Sequence, residues 1–128
     1  MPHIIVEYTK NIKVVANIPA LLQKINETLI AEGDVFPIGG LRARAIELAD
    51  YYIADGTADD AFVHVTLKIG AGRSEAVKKS AGDQLFKMIE AHFSLLFEER
   101  FLALSMEIYE FEASSTYKKN NIHHRYKM

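Results

Sequence analysis

Four side or end groups in this chain could do chemistry together: the nitrogen of Pro2 and the guanidinium groups of Arg42, Arg44 and Arg73. Pro2 follows the initiator methionine, and a small second residue ordinarily lets processing remove that methionine. Proline would then supply a secondary amine as its terminal group, able to take and return a proton without a side chain. A proline after a start codon is also commonplace, so the dipeptide alone leaves both readings open. Arg73 follows Gly70-Ala71-Gly72, where a strand gives way to a helix, and ligands of α/β proteins bind at such turns. Arg42 and Arg44 follow another glycine turn, Gly39-Gly40. Each could be a surface arginine. Together with a terminal amine they point to proton transfer on an anionic substrate. Arginine forks hold carboxylates bidentately and stabilise charge building on an enolate oxygen. Their charge and apolar surroundings disfavour the protonated amine, which leaves its lone pair free at neutral pH.

Other chemistries find little support. The 128 residues contain no cysteine, which removes disulfides, thiolate metal sites and cysteine nucleophiles and accords with a cytoplasmic protein. His3, His64 and His92 are scattered and His123-His124 are adjacent, so no metal-ligand spacing results and no metal or cofactor is expected. Gly70-Ala71-Gly72-Arg73-Ser74 lacks the full spacing of a phosphate loop. A net charge of −2 gives no nucleic-acid footprint, and neither a membrane span nor a secretory signal is expected. The charge is uneven: residues 117 to 128 hold Lys118, Lys119, Arg125 and Lys127 and no acid, leaving 11 basic against 17 acidic residues, a net of −6, elsewhere. Such a tail suits docking on a neighbouring subunit, although a frayed, solvated terminus is the plainer reading.

The elements that must position these groups follow from periodicity. Ile4, Val6 and Tyr8 alternate with His3, Ile5 and Glu7, so the chain opens on a strand, and Pro2 is tolerated at its first residue. Asn17 is expected to cap a helix with Pro19 in its first turn and an apolar stripe through Leu21, Ile25 and Leu29, ended by Gly33. Phe36 to Gly40 reads as a loop. Leu41 to Tyr52 is ambiguous, its alanines favouring helix and Tyr51-Tyr52-Ile53 favouring strand. Ala61 to Ile69 alternates as a strand, and Ser74 is placed to cap a helix running to about Arg100, with Gly82 inside it marking close packing. Leu102, Leu104, Met106 and Ile108 form a last strand. The expected fold is one α/β (α+β) domain over residues 1–128: two β-α-β-like halves, with a four-stranded mixed sheet and two helices on one face. Ile5, Phe62 and Ala103 fall on the other face, which is therefore expected to be apolar and to be covered by self-association.

The stretches Pro2 to Glu7, Phe36-Pro37, Leu41 to Arg44, Ala61 to Ser74 (AFVHVTLKIGAGRS), Ala103 to Ile108 and Lys119 to His123 run in an order that resembles the tautomerase superfamily. Within it they are most similar to the 5-carboxymethyl-2-hydroxymuconate isomerases of homoprotocatechuate breakdown. AFVHVTLKIGAGRS is specific, whereas a lone N-terminal proline is not. The resemblance implies a cofactor-free isomerase in aromatic catabolism, acting on a muconate-type dicarboxylate. It implies Pro2 as general base, Arg42 and Arg73 as the residues that bind and polarise the substrate, and a homotrimer with the site at a subunit boundary. Arg44 matches without an assigned role. Segments 9–17 and 45–60 match poorly, and Asp34 is an extra residue in its turn. Two alternatives stay open on the same scaffold. One is a sibling activity (another muconate tautomerase, a dehalogenase or a decarboxylase), the other a non-catalytic oligomeric binding protein.

Overall fold

The computed structural model describes residues 2–126, so Met1, whose removal the sequence predicts, and Lys127 of the basic tail lie outside the described residues. The first strand, β1 (His3–Thr9), buries Ile4, Val6 and Tyr8 on one side. It runs parallel to β2 (Arg42–Leu48) and antiparallel to β3 (Ala61–Gly70). β3 runs parallel to β4 (Leu102–Phe111), giving the order β2-β1-β3-β4. The mixed four-stranded sheet and its two β-α-β halves are as the residue pattern predicts.

The ambiguous stretch after Leu41 is thus a strand. Helix propensity in Ala43 and Ala45 is weak beside a ladder running from His3 opposite Arg42 to Thr9 opposite Leu48. Both alanines pack against the core, while Arg44 and Ile46 between and beyond them are exposed. A short helix α1 (Lys13–Ala16), absent from the sequence reading, precedes α2 (Ile18–Ile30). Asn17 joins them in the left-handed conformation (φ 48°) and makes no side-chain cap. Asparagine tolerates that region better than most residues, so it serves as a joint where a cap was expected. Gly33 (φ 80°) is also left-handed, but it lies beyond the helix end at Ile30.

Helix α3 (Glu75–His92) starts as expected, with the Ser74 hydroxyl accepting the Val77 N–H at 3.2 Å. The stripe to Arg100 is not one helix. Phe93 (φ −100°, ψ 10°) turns its ring wholly into the core, and a separate α4 (Ser94–Glu99) follows. Gly82 permits close packing: a Cβ there would lie 3.1 Å from Ile108 Cδ1 on β4. Leu21, Ile25 and Leu29 of α2 and Ala81, Leu85 and Ile89 of α3 meet Val6, Val63, Val65 and Leu67 of the sheet in one core. Burial of each large apolar side chain there contributes about 1.5–3 kcal/mol.

The second face of the sheet corrects one expectation. Cross-strand register sets out Arg42, His3, Lys68 and Tyr109 in one row, Arg44, Ile5, Thr66 and Glu107 in the next, and Ile46, Glu7, His64 and Ser105 in a third. Ile5, Phe62 and Ala103 are there as expected, but most of the face is polar or charged. Period-two alternation identifies the face a residue occupies; which charges become neighbours depends on strand order.

Candidate active site

β1 and β2 begin, and β3 and β4 end, at one end of the sheet. His3 lies opposite both Arg42 and Lys68, Lys68 opposite Tyr109, and Gly70 opposite Phe111. Chain direction alone therefore brings Pro2, the Pro37–Gly40 loop, the Gly70–Arg73 turn and the segment after Phe111 to the same end. Pro2 is buried there, at the head of a strand paired on both sides. A nitrogen so placed has a fixed direction, which a proton shuttle requires.

Arg73 sits at the mouth of this end. Gly72 before it adopts φ 122°, a value L-residues rarely take, so the turn needs glycine. The guanidinium donates from Nε and Nη2 to the Val35 carbonyl (3.2 and 3.0 Å) and from Nη1 to the Gly70 carbonyl (3.3 Å). Its carbon lies 4.7 Å from the centre of the Phe36 ring, which is itself buried. Three of the five guanidinium N–H groups are thereby used in holding the side chain, and one each on Nη1 and Nη2 remains to donate. Arg73 lines a cleft of about 300 Å³ together with Pro37, Gly40, Gly70, Phe111, Lys118 and His123, among others.

Arg42 does not line this cleft. Arg42 Nη2 lies 2.9 Å from His3 Nε2, and Arg44 Nη1 lies 3.0 Å from His3 Nδ1, on the open face of the sheet. A neutral imidazole has one acceptor nitrogen, so in either tautomer only one of these contacts is a hydrogen bond. Burial, then the charges of Arg42, Arg44 and Lys68, holds the His3 pKa below its ordinary value. Within one chain the two arginines singled out from sequence thus face different directions: Arg73 into the cleft, Arg42 across the sheet beside the residue that follows Pro2.

The C-terminal segment supplies what the residue pattern missed. Residues up to 126 do not fray as the plainer reading held; they dock on the Pro37–Gly40 loop of their own chain. Asn120 Nδ2 donates to the Gly39 carbonyl at 2.8 Å, and Asn120 Oδ1 accepts the Ile122 N–H at 2.7 Å. A Cβ at Gly39 would lie 2.8 Å from the backbone nitrogen of His123, so this close approach needs glycine. The docking carries Lys118 and His123 to the rim of the Arg73 cleft. The Lys119–His123 stretch was the only signal, and a sequence motif does not say which loop it covers. Among the described residues, no three metal-ligating side chains gather, and no helix is long and apolar enough to cross a membrane.

A four-stranded mixed sheet backed by two long helices, with Pro2 at the cleft end, defines a tautomerase-like α+β fold. A structure described as a fused 4-OT wild-type symmetric trimer shares that fold, with a TM-score of 0.65 at 15% identity over 91% of this chain and 93% of its own. The profile of the family "5-carboxymethyl-2-hydroxymuconate isomerase" matches residues 2–126. An Escherichia coli protein described as 5-carboxymethyl-2-hydroxymuconate Delta-isomerase is 47% identical over 127 residues, covering 99% of this chain and all of its own. The crystal structure of a 5-carboxymethyl-2-hydroxymuconate isomerase from Deinococcus radiodurans R1 superposes with a TM-score of 0.95 at 53% identity, covering 99% of this chain and 95% of that one. The chain belongs to the 5-carboxymethyl-2-hydroxymuconate isomerase family, a family of isomerases.

Proposed function

We propose that this chain is a 5-carboxymethyl-2-hydroxymuconate Δ-isomerase that works without a cofactor, with the Pro2 nitrogen as its base. The observation that carries the reading is the position of Pro2, buried at the head of β1 at the end of the sheet where the Arg73 cleft opens. The substrate is a 2-hydroxy-2,4-diene diacid with a carboxymethyl arm. The amine takes the proton of the 2-hydroxyl and delivers one to C5. The O–H bond breaks and a C5–H bond forms. The double bonds at C2–C3 and C4–C5 become a C2 carbonyl and a conjugated C3–C4 double bond. The electrons stay within the substrate, so no oxidant or metal enters the balance. The remaining Arg73 N–H groups suit a carboxylate or the 2-oxygen as negative charge builds on it. Free lone-pair chemistry requires Met1 to be removed, since an acylated proline nitrogen has no basic pair.

Assembly as a homotrimer belongs to the same proposal. The sheet face turned away from the helices carries Arg42, Arg44 and Lys68 in two rows and Glu7 and Glu107 close by. Opposite charges arranged so can meet across copies, and contact there would bring Arg42 of one copy toward the cleft of the next. The cysteine-free composition accords with a cytoplasmic setting.

Ultraviolet-monitored ketonisation of 5-carboxymethyl-2-hydroxymuconate tests the reading, with preparations whose N-terminus is verified by intact mass. Turnover confined to the preparation beginning at Pro2 is the expected result. Equal turnover by protein that keeps Met1 would remove Pro2 as the base. Sedimentation at micromolar concentration is expected to give three times 14.4 kDa; an active monomer would remove the shared site.

A further inference from the structure

We infer that the docked C-terminal segment is a specificity element whose Lys118 binds the carboxymethyl carboxylate, the group that distinguishes this substrate from plain 2-hydroxymuconate. The inference rests on the proposed isomerase reading and deepens it. Chemistry on the substrate side sets the requirement. A muconate skeleton carries two carboxylates, and the carboxymethyl arm adds a third. Three anionic groups in one cleft call for a cation beyond Arg73, three of whose donors already serve backbone carbonyls, and the Arg42 that a neighbouring copy would bring.

Lys118 supplies it. It lines the same cleft of about 300 Å³ as Arg73. It makes no hydrogen bond, ion pair or ring contact with the described residues, as nothing links it to a carboxylate or carbonyl. Thr116, in the same lining, donates its hydroxyl to the Glu112 carbonyl at 2.7 Å. His123 is pressed against Gly39, and its Nε2 lies 3.4 Å from Asn120 Nδ2. Lysine is a compact point charge on a flexible stem, which suits a carboxylate on a rotatable methylene arm, whereas a rigid arginine fork suits the carboxylates of the planar diene. The Asn120–Gly39 clamp then acts as a positioning device, because it sets the backbone from which Lys118 extends.

The test compares kcat/KM on 5-carboxymethyl-2-hydroxymuconate and on 2-hydroxymuconate for wild type, Lys118→Met and Lys118→Arg. Wild type should prefer the carboxymethyl substrate. Lys118→Met should lower that preference about tenfold, or about 1.4 kcal/mol, chiefly through KM. Lys118→Arg should restore most of it. Gly39→Val, whose side chain cannot share space with the His123 backbone, should lower the preference in the same sense while circular dichroism stays that of a folded protein. Equal losses on both substrates, or no loss, would overturn the assignment while leaving the isomerase reading standing. Absence of wild-type turnover on either substrate would instead defeat the isomerase reading, and this inference with it.

Discussion

Arg73→Lys separates what the guanidinium does for the fold from what it does for a substrate. The structure sets the stability term. Arg73 spans two acceptors, Val35 O through two N–H groups and Gly70 O through a third, at 3.0 to 3.3 Å. A lysine ammonium keeps the charge but can reach one of those carbonyls at a time. One of the two carbonyls is left without its charged donor, a loss worth about 1.5–3 kcal/mol in general and nearer the lower end for this partly exposed site. Exchange of the guanidinium stacked on Phe36 for an ammonium adds about 0.5 kcal/mol. A destabilisation of about 2–3 kcal/mol follows, read as a lower urea midpoint at fixed protein concentration with an unchanged slope. The kinetic term is separate. The two spare N–H groups of the fork are lost as a pair, and removing a donor aimed at developing negative charge costs about 10²–10³ in rate. Ketonisation kinetics should therefore show a fall in kcat/KM of at least about 10²-fold at temperatures where the variant is folded. A variant destabilised as calculated but with near wild-type kcat/KM would show that Arg73 serves only the Gly70–Arg73 turn. A variant with an unchanged urea midpoint would refute the hydrogen-bond reasoning itself.

Pro2→Ala keeps a terminal amine but exchanges a rigid secondary one for a freely rotating primary one; kcat/KM should fall about 10²–10⁴-fold, and steady-state rates near wild type would remove Pro2 as the base. Arg42→Ala should move the His3 pKa up toward its ordinary value but not fully, because burial is the larger cause of its depression; NMR titration of the His3 ring reads this, and an unmoved midpoint would contradict it. The same depression has a sign in stability: the unfolded chain takes up the His3 proton near pH 6.5, while the folded chain resists it until the pH is lower. The His3 contribution is thus complete above that value and is lost as pH falls through the folded pKa. His3→Gln should flatten the urea midpoint between about pH 7.5 and 5, and an unchanged slope would refute it. At Gly82, alanine should stay within about 1 kcal/mol of wild type, since helix propensity offsets a contact that the flexible end of Ile108 can yield. Valine should cost about 1–3 kcal/mol, and thermal melts showing equal effects for the two would contradict the packing.

Much of this molecule is written in short-range pattern. Alternation in His3–Thr9 and Ala61–Gly70 specified strands, because a pleat places every second side chain on the core side whatever the strand pairs with. Ser74 could be read as a cap because its hydroxyl reaches an N–H only three residues on. Gly70-Ala71-Gly72 announced the turn before Arg73 for a similar local reason. What depended on distant segments was not legible. Arg42–Leu48 became a strand through pairing with β1, which lies some forty residues earlier. The stripe after Glu75 broke at Phe93 because the core takes that ring whole. The second face came out polar because strand order, not alternation, set Arg42, His3 and Lys68 side by side. Arg73 could be named from its glycine turn, but its anchors, the Val35 carbonyl and the Phe36 ring, come from a loop that only the tertiary fold brings near. The tail could be seen to be basic, yet its docking rests on Asn120 meeting the Gly39 carbonyl across eighty-one residues. Residue types decide which contacts a side chain is able to make; contacts between segments far apart in the chain exist only once the whole sheet has closed the loops between them.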